Sequence, residues 1–377
     1  MSQPVPFLDL VAQQLEIDDD VQSDLREVFR TAGFIGGPHV ASFEEEYAAF
    51  VGVPYCVGLG NGTDAVELAL RAIGIGTGDE VIAPANTFVA TVEAICRAGA
   101  RPVLVDVDPQ TLLIDPELVP AALSPRTKAI VPVHLYGQMA PVELITAIAP
   151  GIPIVEDAAQ SHGATRHGAV SGSLSVAAAT SFYPGKNLGA AGDGGATTTS
   201  DPEVARRLRL LGNHGSAKKY VHETLGFNSR LDAVQAVELR HKLRRLPDWN
   251  AMRQQAADRY FELLGGLDGI TLPVVAEGNE HVWHLYVVQV DERERLASSL
   301  EAAGIGFGMH YPVPVHLTDA FADLGYSAGA FPIAEGAAAR ILSLPMFPHL
   351  TVEQQTRVAV TVAGPTRGST PRPVNRT

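Results

Sequence analysis

The sequence predicts an α/β protein, with a large domain built on a mostly parallel sheet flanked by helices and a smaller C-terminal α/β domain. Three observations predict it. Short apolar strands alternate with helical patterns through about residue 240, as parallel βαβ units do. A long helical pattern then runs from Ser229 to Asp258, with Leu231, Val234, Val237 and Leu239 spaced among charges. Beyond it a strand, His284–Val290, and a helix, Glu292–Ala303, begin a second unit.

The elements follow in order. A strand around Tyr55–Val57 runs into the glycine-rich Gly58-Leu59-Gly60-Asn61-Gly62-Thr63, and a helical pattern continues through Val66, Leu68, Leu70 and Ile73. Val81-Ile82-Ala83 reads as a strand before a helix over Val89–Ala98. Val103-Leu104-Val105 precedes a helix over Glu117–Leu123, and Ala129-Ile130-Val131 precedes one over Pro141–Ala149. Ile154-Val155 is a further buried strand. These patterns divide the chain into a large unit, 1–247, and a small one, 248–363. The tail, 364–377, is rich in Pro, Arg, Thr and Gly and is expected to be disordered.

Composition sets outer limits. A chain of 377 residues with 46% hydrophobic and 19% charged residues can bury a sizeable core. A formal net charge of −14 argues against nucleic acid as partner, where a basic stripe is expected. No window approaches the ~18 uninterrupted apolar residues of a membrane span. Met1-Ser2-Gln3-Pro4-Val5-Pro6 shows no basic cluster followed by an apolar run, so no signal peptide is expected. Cys56 and Cys96 are the only cysteines. Both read as small buried hydrophobes, and the compartment as reducing cytosol.

Three segments carry chemistry. Lys186 lies in Ser181-Phe182-Tyr183-Pro184-Gly185-Lys186-Asn187-Leu188-Gly189, after the small apolar run Val176–Thr180. A lysine held in a small-residue turn can form a Schiff base with an aldehyde cofactor such as pyridoxal phosphate. The plain alternative is a solvated loop lysine. Asp157 stands at the carboxyl end of the strand Ile154-Val155, the edge where α/β sheets bind ligands. A carboxylate there can pair with a pyridine nitrogen; the alternative is a helix N-cap. Gly58–Thr63 opens a helix, whose N-terminal N–H groups suit a phosphate, with the Thr63 hydroxyl beside them. A dinucleotide fingerprint would need glycine at position 63, where Thr63 stands.

Five strings occur in family order: GNGTDA at Gly60–Ala65, NTF at Asn86–Phe88, EDAAQSHG at Glu156–Gly163, SFYPGKNLGAAGDGG at Ser181–Gly195 and GFNSRLDAVQA at Gly226–Ala236. With them the chain resembles the DegT/StrS-type sugar aminotransferases, fold-type I enzymes that use pyridoxal 5'-phosphate. The resemblance implies that Lys186 holds the cofactor and moves a proton once released. It implies that Asp157 pairs with the ring nitrogen, Gln160 contacts the phenolic oxygen and Phe88 stacks on the ring. Gly62, Thr63 and Ser181 would bind the phosphate. Asn228 would reach the phosphate of a partner subunit, so that a homodimer shares its sites. His162 belongs to the motif without an evident role.

The string around Lys186 resembles the subgroup that aminates C3. The implied reaction moves an amino group from L-glutamate to C3 of a nucleoside-diphosphate 3-keto-6-deoxyhexose, dTDP-linked, in cytoplasmic deoxyaminosugar biosynthesis for antibiotics. Lys219, Tyr220 and Arg230 are expected to meet the substrate, as are Tyr311 and His316 of His310-Tyr311-Pro312-Val313-Pro314-Val315-His316. Two prolines forbid a helix between the two histidines, so they do not read as a metal pair. A C4-aminating enzyme, a nicotinamide-dependent sugar oxidoreductase and a non-catalytic regulatory relative remain as alternatives. Lys186, Asp157 and Gln160 are all present, which speaks against the last.

Overall fold

The computed structural model describes residues 3–366. Seven strands build the main sheet: β1 (Tyr55–Leu59), β2 (Glu80–Pro84), β3 (Arg101–Val105), β4 (Thr127–Ile130), β5 (Val155–Asp157), β6 (Ala177–Ser181) and β7 (Gly195–Thr199). Their spatial order is β1-β7-β6-β5-β4-β2-β3, with β4 and β5 joined through bridges at Ile130–Ile154 and Val133–Asp157. Side chains of β2 and β7 are buried throughout, as strands covered on both faces must be.

The expectation of a mostly parallel sheet is met, with one exception. Strand β7 runs antiparallel to both β1 and β6. No helix lies between β6 and β7, only the loop that carries Lys186. A parallel return needs a crossover on the far face; without one the chain can only fold back. That loop is therefore left at the sheet's end instead of being spent on a crossover.

Local chemistry explains the main helix that faces the site. Gly62–Ala72 is N-capped by Asn61, whose side chain accepts from the Asp64 N–H at 2.9 Å. Ala65, Val66, Leu68, Ala69 and Leu70 fill its buried face. The helix expected over Glu117–Leu123 is instead a 3₁₀ turn, Pro116–Leu118, followed by a short helix, Val119–Ala122. Proline within that run removes an intrahelical donor.

A long helix, Ala233–Leu264, leads from the main sheet to a second sheet. There Ile270–Thr271, Tyr286–Val290 and Ile341–Leu344 pair antiparallel, and Arg293–Ala302 and Val352–Thr366 pack with them. Trp283, Tyr260, Tyr286, Leu342 and Phe347 form the core of this part. The C-terminal helix reaches Thr366, so the first residues of the expected disordered tail are helical. Residues 367–377 lie outside the described residues. Cys56 is buried as expected, but Cys96 is exposed on helix Val89–Arg97. Among the described residues no helix is long and apolar enough to cross a membrane.

Candidate active site

The ends of β5 and β6, the N-terminus of helix Gly62–Ala72 and the loop after β6 converge on a cavity of about 580 Å³. Lys186, Asp157, Gln160, Phe88, Gly62, Thr63, Ser181 and Tyr311 all line it. The connection is local in origin. Strands β5 and β6 are parallel neighbours, with Asp157 paired to Ala179, so both deliver their carboxyl ends to one place.

Lys186 is held in its turn by its own N–H, which donates to Tyr183 O at 2.9 Å. Gly189 closes the turn; a Cβ there would lie 2.3 Å from Pro184 O. The side chain is only part-exposed. Burial lowers the Lys186 pKa from 10.5 to about 8, against the opposing pull of Asp157. An amine with that value holds or releases a proton near neutral pH.

Asp157 is fixed by two donors. Thr91 Oγ1 donates to Oδ2 at 2.7 Å, and Thr87 Oγ1 lies 2.7 Å from Thr91 Oγ1. The Ala159 N–H reaches Oδ1 at 3.2 Å. The N-cap alternative survives only as this short turn, since no helix follows Asp157. Gln160 Oε1 accepts from the Tyr136 N–H at 2.6 Å, and its Nε2 donates to Tyr311 Oη at 3.2 Å. Phe88 stands at the start of helix Val89–Arg97, 48% exposed, with its ring 5.2 Å from that of Tyr311. A flat face is thereby available opposite the strand ends.

The cavity end at the N-terminus of helix Gly62–Ala72 is a cradle without room for side chains at its glycines. A Cβ on Gly62 would lie 2.5 Å from Ser181 Cβ, and one on Gly195 would lie 2.4 Å from Asn61 O. Of the first-turn N–H groups, that of Asp64 is taken by Asn61, whereas those of Gly62 and Thr63, two residues that line the cavity, have no intrahelical acceptor. A glycine-lined helix N-terminus suited to a phosphate, a flat aromatic, a strand-end carboxylate and a lysine with a lowered pKa fit pyridoxal phosphate.

The remaining expected residues lie elsewhere in the single chain. Asn228 and Arg230 bond each other at 2.7 Å, and Arg230 also reaches Asn213 Oδ1 at 2.8 Å. Lys219 lies over the Tyr220 ring, which is 84% exposed. None of the four lines the cavity. His316, expected at the substrate, is buried away from it. Its Nε2 meets Glu335 at 3.0 Å, and its ring packs on Phe331. A 3₁₀ turn over Val315–Leu317 carries it inward. Its neighbour His310 lines the cavity instead.

Sequence reasoning passed over Asn61, Thr87, Thr91, Asp193, His284 and His310, all of which line the cavity. Thr87 and Thr91 had a usable signal, since a spacing of four at a helix start stacks two hydroxyls. His162 sits behind the site. Its Nε2 lies 2.9 Å from Thr180 Oγ1, and burial lowers its pKa to about 3, assisted by the Lys186 charge. It is a neutral support beneath β6.

Residues 15–363 match the DegT/DnrJ/EryC1/StrS aminotransferase family. The chain is 49% identical over 360 residues to the Saccharopolyspora erythraea protein named erythromycin biosynthesis sensory transduction protein EryC1, covering 95% of this chain and 98% of that one. It is 48% identical to the Streptomyces venezuelae dTDP-3-amino-3,4,6-trideoxy-alpha-D-glucose transaminase, covering 94% of each. The solved structure of S. venezuelae DesV in complex with a ketimine intermediate superposes with a TM-score of 0.96 at 46% identity, covering 98% of this chain and 100% of that one. The chain belongs to the DegT/DnrJ/EryC1/StrS aminotransferase family and is a pyridoxal phosphate-dependent aminotransferase.

Proposed function

We propose that this enzyme transfers an amino group from L-glutamate to C3 of a nucleoside-diphosphate 3-keto-6-deoxyhexose, dTDP-linked, in deoxyaminosugar and antibiotic biosynthesis. The observation that carries the reading is the meeting of Lys186, Asp157, Gln160 and Phe88 around one cavity with the glycine cradle at its end. The C3 position is supported by the string Phe182–Gly189 and by the S. venezuelae relative, whose name specifies a 3-amino sugar.

The bound cofactor supplies an electron sink for the carbanion formed at the amino-bearing carbon. The chain supplies the rest. Asp157, held by Thr91 and Ala159, would present its carboxyl group to the ring nitrogen. Gly62, Thr63 and Ser181 would hold the phosphate, Phe88 would cover the ring and Gln160 would meet the phenolic oxygen. The Lys186 amine, with its lowered pKa, would hold and move the proton. Tyr311 is the substrate contact from the second sheet's side, and its hydroxyl is already oriented by Gln160.

The functional unit is a cytoplasmic homodimer in this proposal. Lys219, Tyr220, Asn228 and Arg230 are displaced from their own cavity on an exposed stretch, and they serve the partner's phosphate and substrate. Their cations offset a charge of −14 locally where an anionic sugar nucleotide enters. The division at 247/248 is part of the same reading; helix Ala233–Leu264 crosses it, with Pro247 in its interior.

The S. erythraea relative's name favours a regulatory reading, but an assembled set of Lys186, Asp157 and Gln160 has no use in a non-catalytic protein. Mass spectrometry of products from L-glutamate with a panel of 3-keto and 4-keto sugar nucleotides tests the proposal. A new amine at C3 is expected. Amination of 4-keto sugars alone would reassign the position, and no amination of any sugar would end the reading.

A further inference from the structure

A one-way chain of side-chain amides ends beside Lys186. It begins at the carbonyl of His162, which can only accept. Asn250 Nδ2 donates to it at 2.9 Å, so Asn250 Oδ1 faces the other way. That oxygen takes a hydrogen bond from Asn187 Nδ2 at 2.9 Å. The same Asn187 nitrogen also donates to Val282 O at 2.8 Å, a second acceptor that cannot be reversed. Both anchors leave Asn187 Oδ1 pointing at His284 Nδ1, 3.2 Å away. An oxygen there admits only a donor, so Nδ1 of His284 carries the proton and Nε2 carries the lone pair.

The position of that lone pair gives it a use. His284 lines the cavity with Lys186, the residue next to Asn187 in the chain. Nε2 has no hydrogen-bond partner among the described residues, and it is not sealed in the core as His162 Nδ1 is. Burial, with the charges of Lys186 and Arg253 nearby, drives the His284 pKa well down, so the ring stays neutral. We propose that His284 is a positioning residue for Lys186: locked as the Nδ1–H tautomer, it offers Nε2 as the acceptor for the lysine amine whenever that amine is released from the cofactor. This rests on the reading of Lys186 as the cofactor's lysine.

The consequence is physical. A lysine amine on a flexible four-carbon stem needs a partner to stay in one place. A carboxylate would do this by binding the charged form strongly and would spoil the base. A neutral imidazole orients the amine while leaving the uncharged form within reach. The other groups that face Lys186 are Asp157 from β5, His162 from the turn after it and His310 from the opposite loop; Arg253 lies behind His284 on the long helix.

The test uses the cofactor-free full chain, with Lys186 acylation by acetic anhydride followed by peptide mass spectrometry across a pH series. His284→Asn keeps an N–H for Asn187 but has no acceptor at the Nε2 position. His284→Gln can place an amide oxygen there. The Lys186 midpoint should fall by about one pH unit in the Asn variant, because the ammonium can no longer turn to an acceptor at that position, and stay near wild type in the Gln variant. An Asn variant that titrates like wild type, or a Gln variant that shifts as far as Asn, overturns the proposal. ¹⁵N NMR of the wild-type ring, assigned through the Trp283-His284 pair, reads the tautomer without any variant; a proton on Nε2 also overturns it. Borohydride reduction of the holoprotein separates the two layers. A label away from Lys186 removes the reading beneath, whereas a label on Lys186 with an unshifted titration removes only the role of His284.

Discussion

Thr91 Oγ1 lies 2.7 Å from Asp157 Oδ2 and donates to it, which ties the strand-end carboxylate to the helix that begins at Val89. The pair is buried, and 66 residues separate its members in the chain. Thr87 extends the line to a second hydroxyl. The carboxylate is therefore oriented before any cofactor arrives. Thr91→Val, which keeps shape and loses the donor, should lower kcat about 10-fold, the cost of one hydrogen bond to a charged group. Asp157→Asn should lose about 10²-fold or more, since the charge itself is removed. Steady-state rates with saturating cofactor check both. A Thr91→Val enzyme at full rate would show that the hydroxyl is mere packing.

Gly62→Ala places a methyl 2.5 Å from Ser181 Cβ and 3.0 Å from its Cα, where backbone cannot yield cheaply. Overpacking of this kind costs about 1–3 kcal/mol. A lower Tm and a weaker Kd for pyridoxal phosphate are expected together. Retained affinity at wild-type Tm would contradict the cradle geometry.

Lys186→Met should stabilise the cofactor-free protein near neutral pH. The folded-state pKa of Lys186 is lowered, from 10.5 to about 8, because burial disfavours the charged amine. Below about pH 8 both folded and unfolded chains hold the proton, and the full penalty weighs on the folded state. Between about 8 and 10.5 the unfolded chain binds more protons, so this group's penalty fades and stability rises with pH. The advantage of the Met variant, roughly 2 kcal/mol at most after allowing for the part-exposed side chain, should shrink across that window. Denaturant melts at several pH values measure it; an advantage that does not change with pH would point to packing alone.

The same lysine variant gives a test of the shared site. Lys186→Ala should remove turnover by on the order of 10³-fold or more and eliminate borohydride trapping. Asn228→Ala should weaken cofactor binding in the proposed homodimer. Mixed and reassociated at a cofactor concentration that leaves the Asn228→Ala homodimer unloaded, the two variants should recover about a quarter of wild-type rate, because half the dimers are mixed and each holds one intact site. No recovery despite demonstrated subunit exchange would place Asn228 in its own chain's site.

Particular residues show how far the sequence could be read. Lys186, Asp157 and the Gly62–Thr63 turn were legible because each belongs to a contiguous strand–turn or turn–helix unit whose chemistry is local. Helix Val89–Arg97 and strands β2 and β3 were legible from periodicity alone. Tyr311 and His316 looked equivalent on one proline-bearing stretch, yet Tyr311 faces the cavity while His316 is turned inward to Glu335. Exposed Cys96 was misjudged because Thr91, Val92, Ala94 and Ile95 form the buried face of helix Val89–Arg97 and position 96 falls outside it.

By itself the chain determined its alternating elements, its glycine-rich turn before a helix, and the placing of Lys186 and Asp157 at the turns that end two strands. These depend on residues near one another in sequence, where backbone sterics and periodicity act directly. Only tertiary structure decided that β7 returns antiparallel, that Thr91 braces Asp157 and that Asn187 turns its oxygen to His284 across 97 residues. Such meetings follow from which strands become neighbours and which carbonyls need donors once buried, and no local pattern records either.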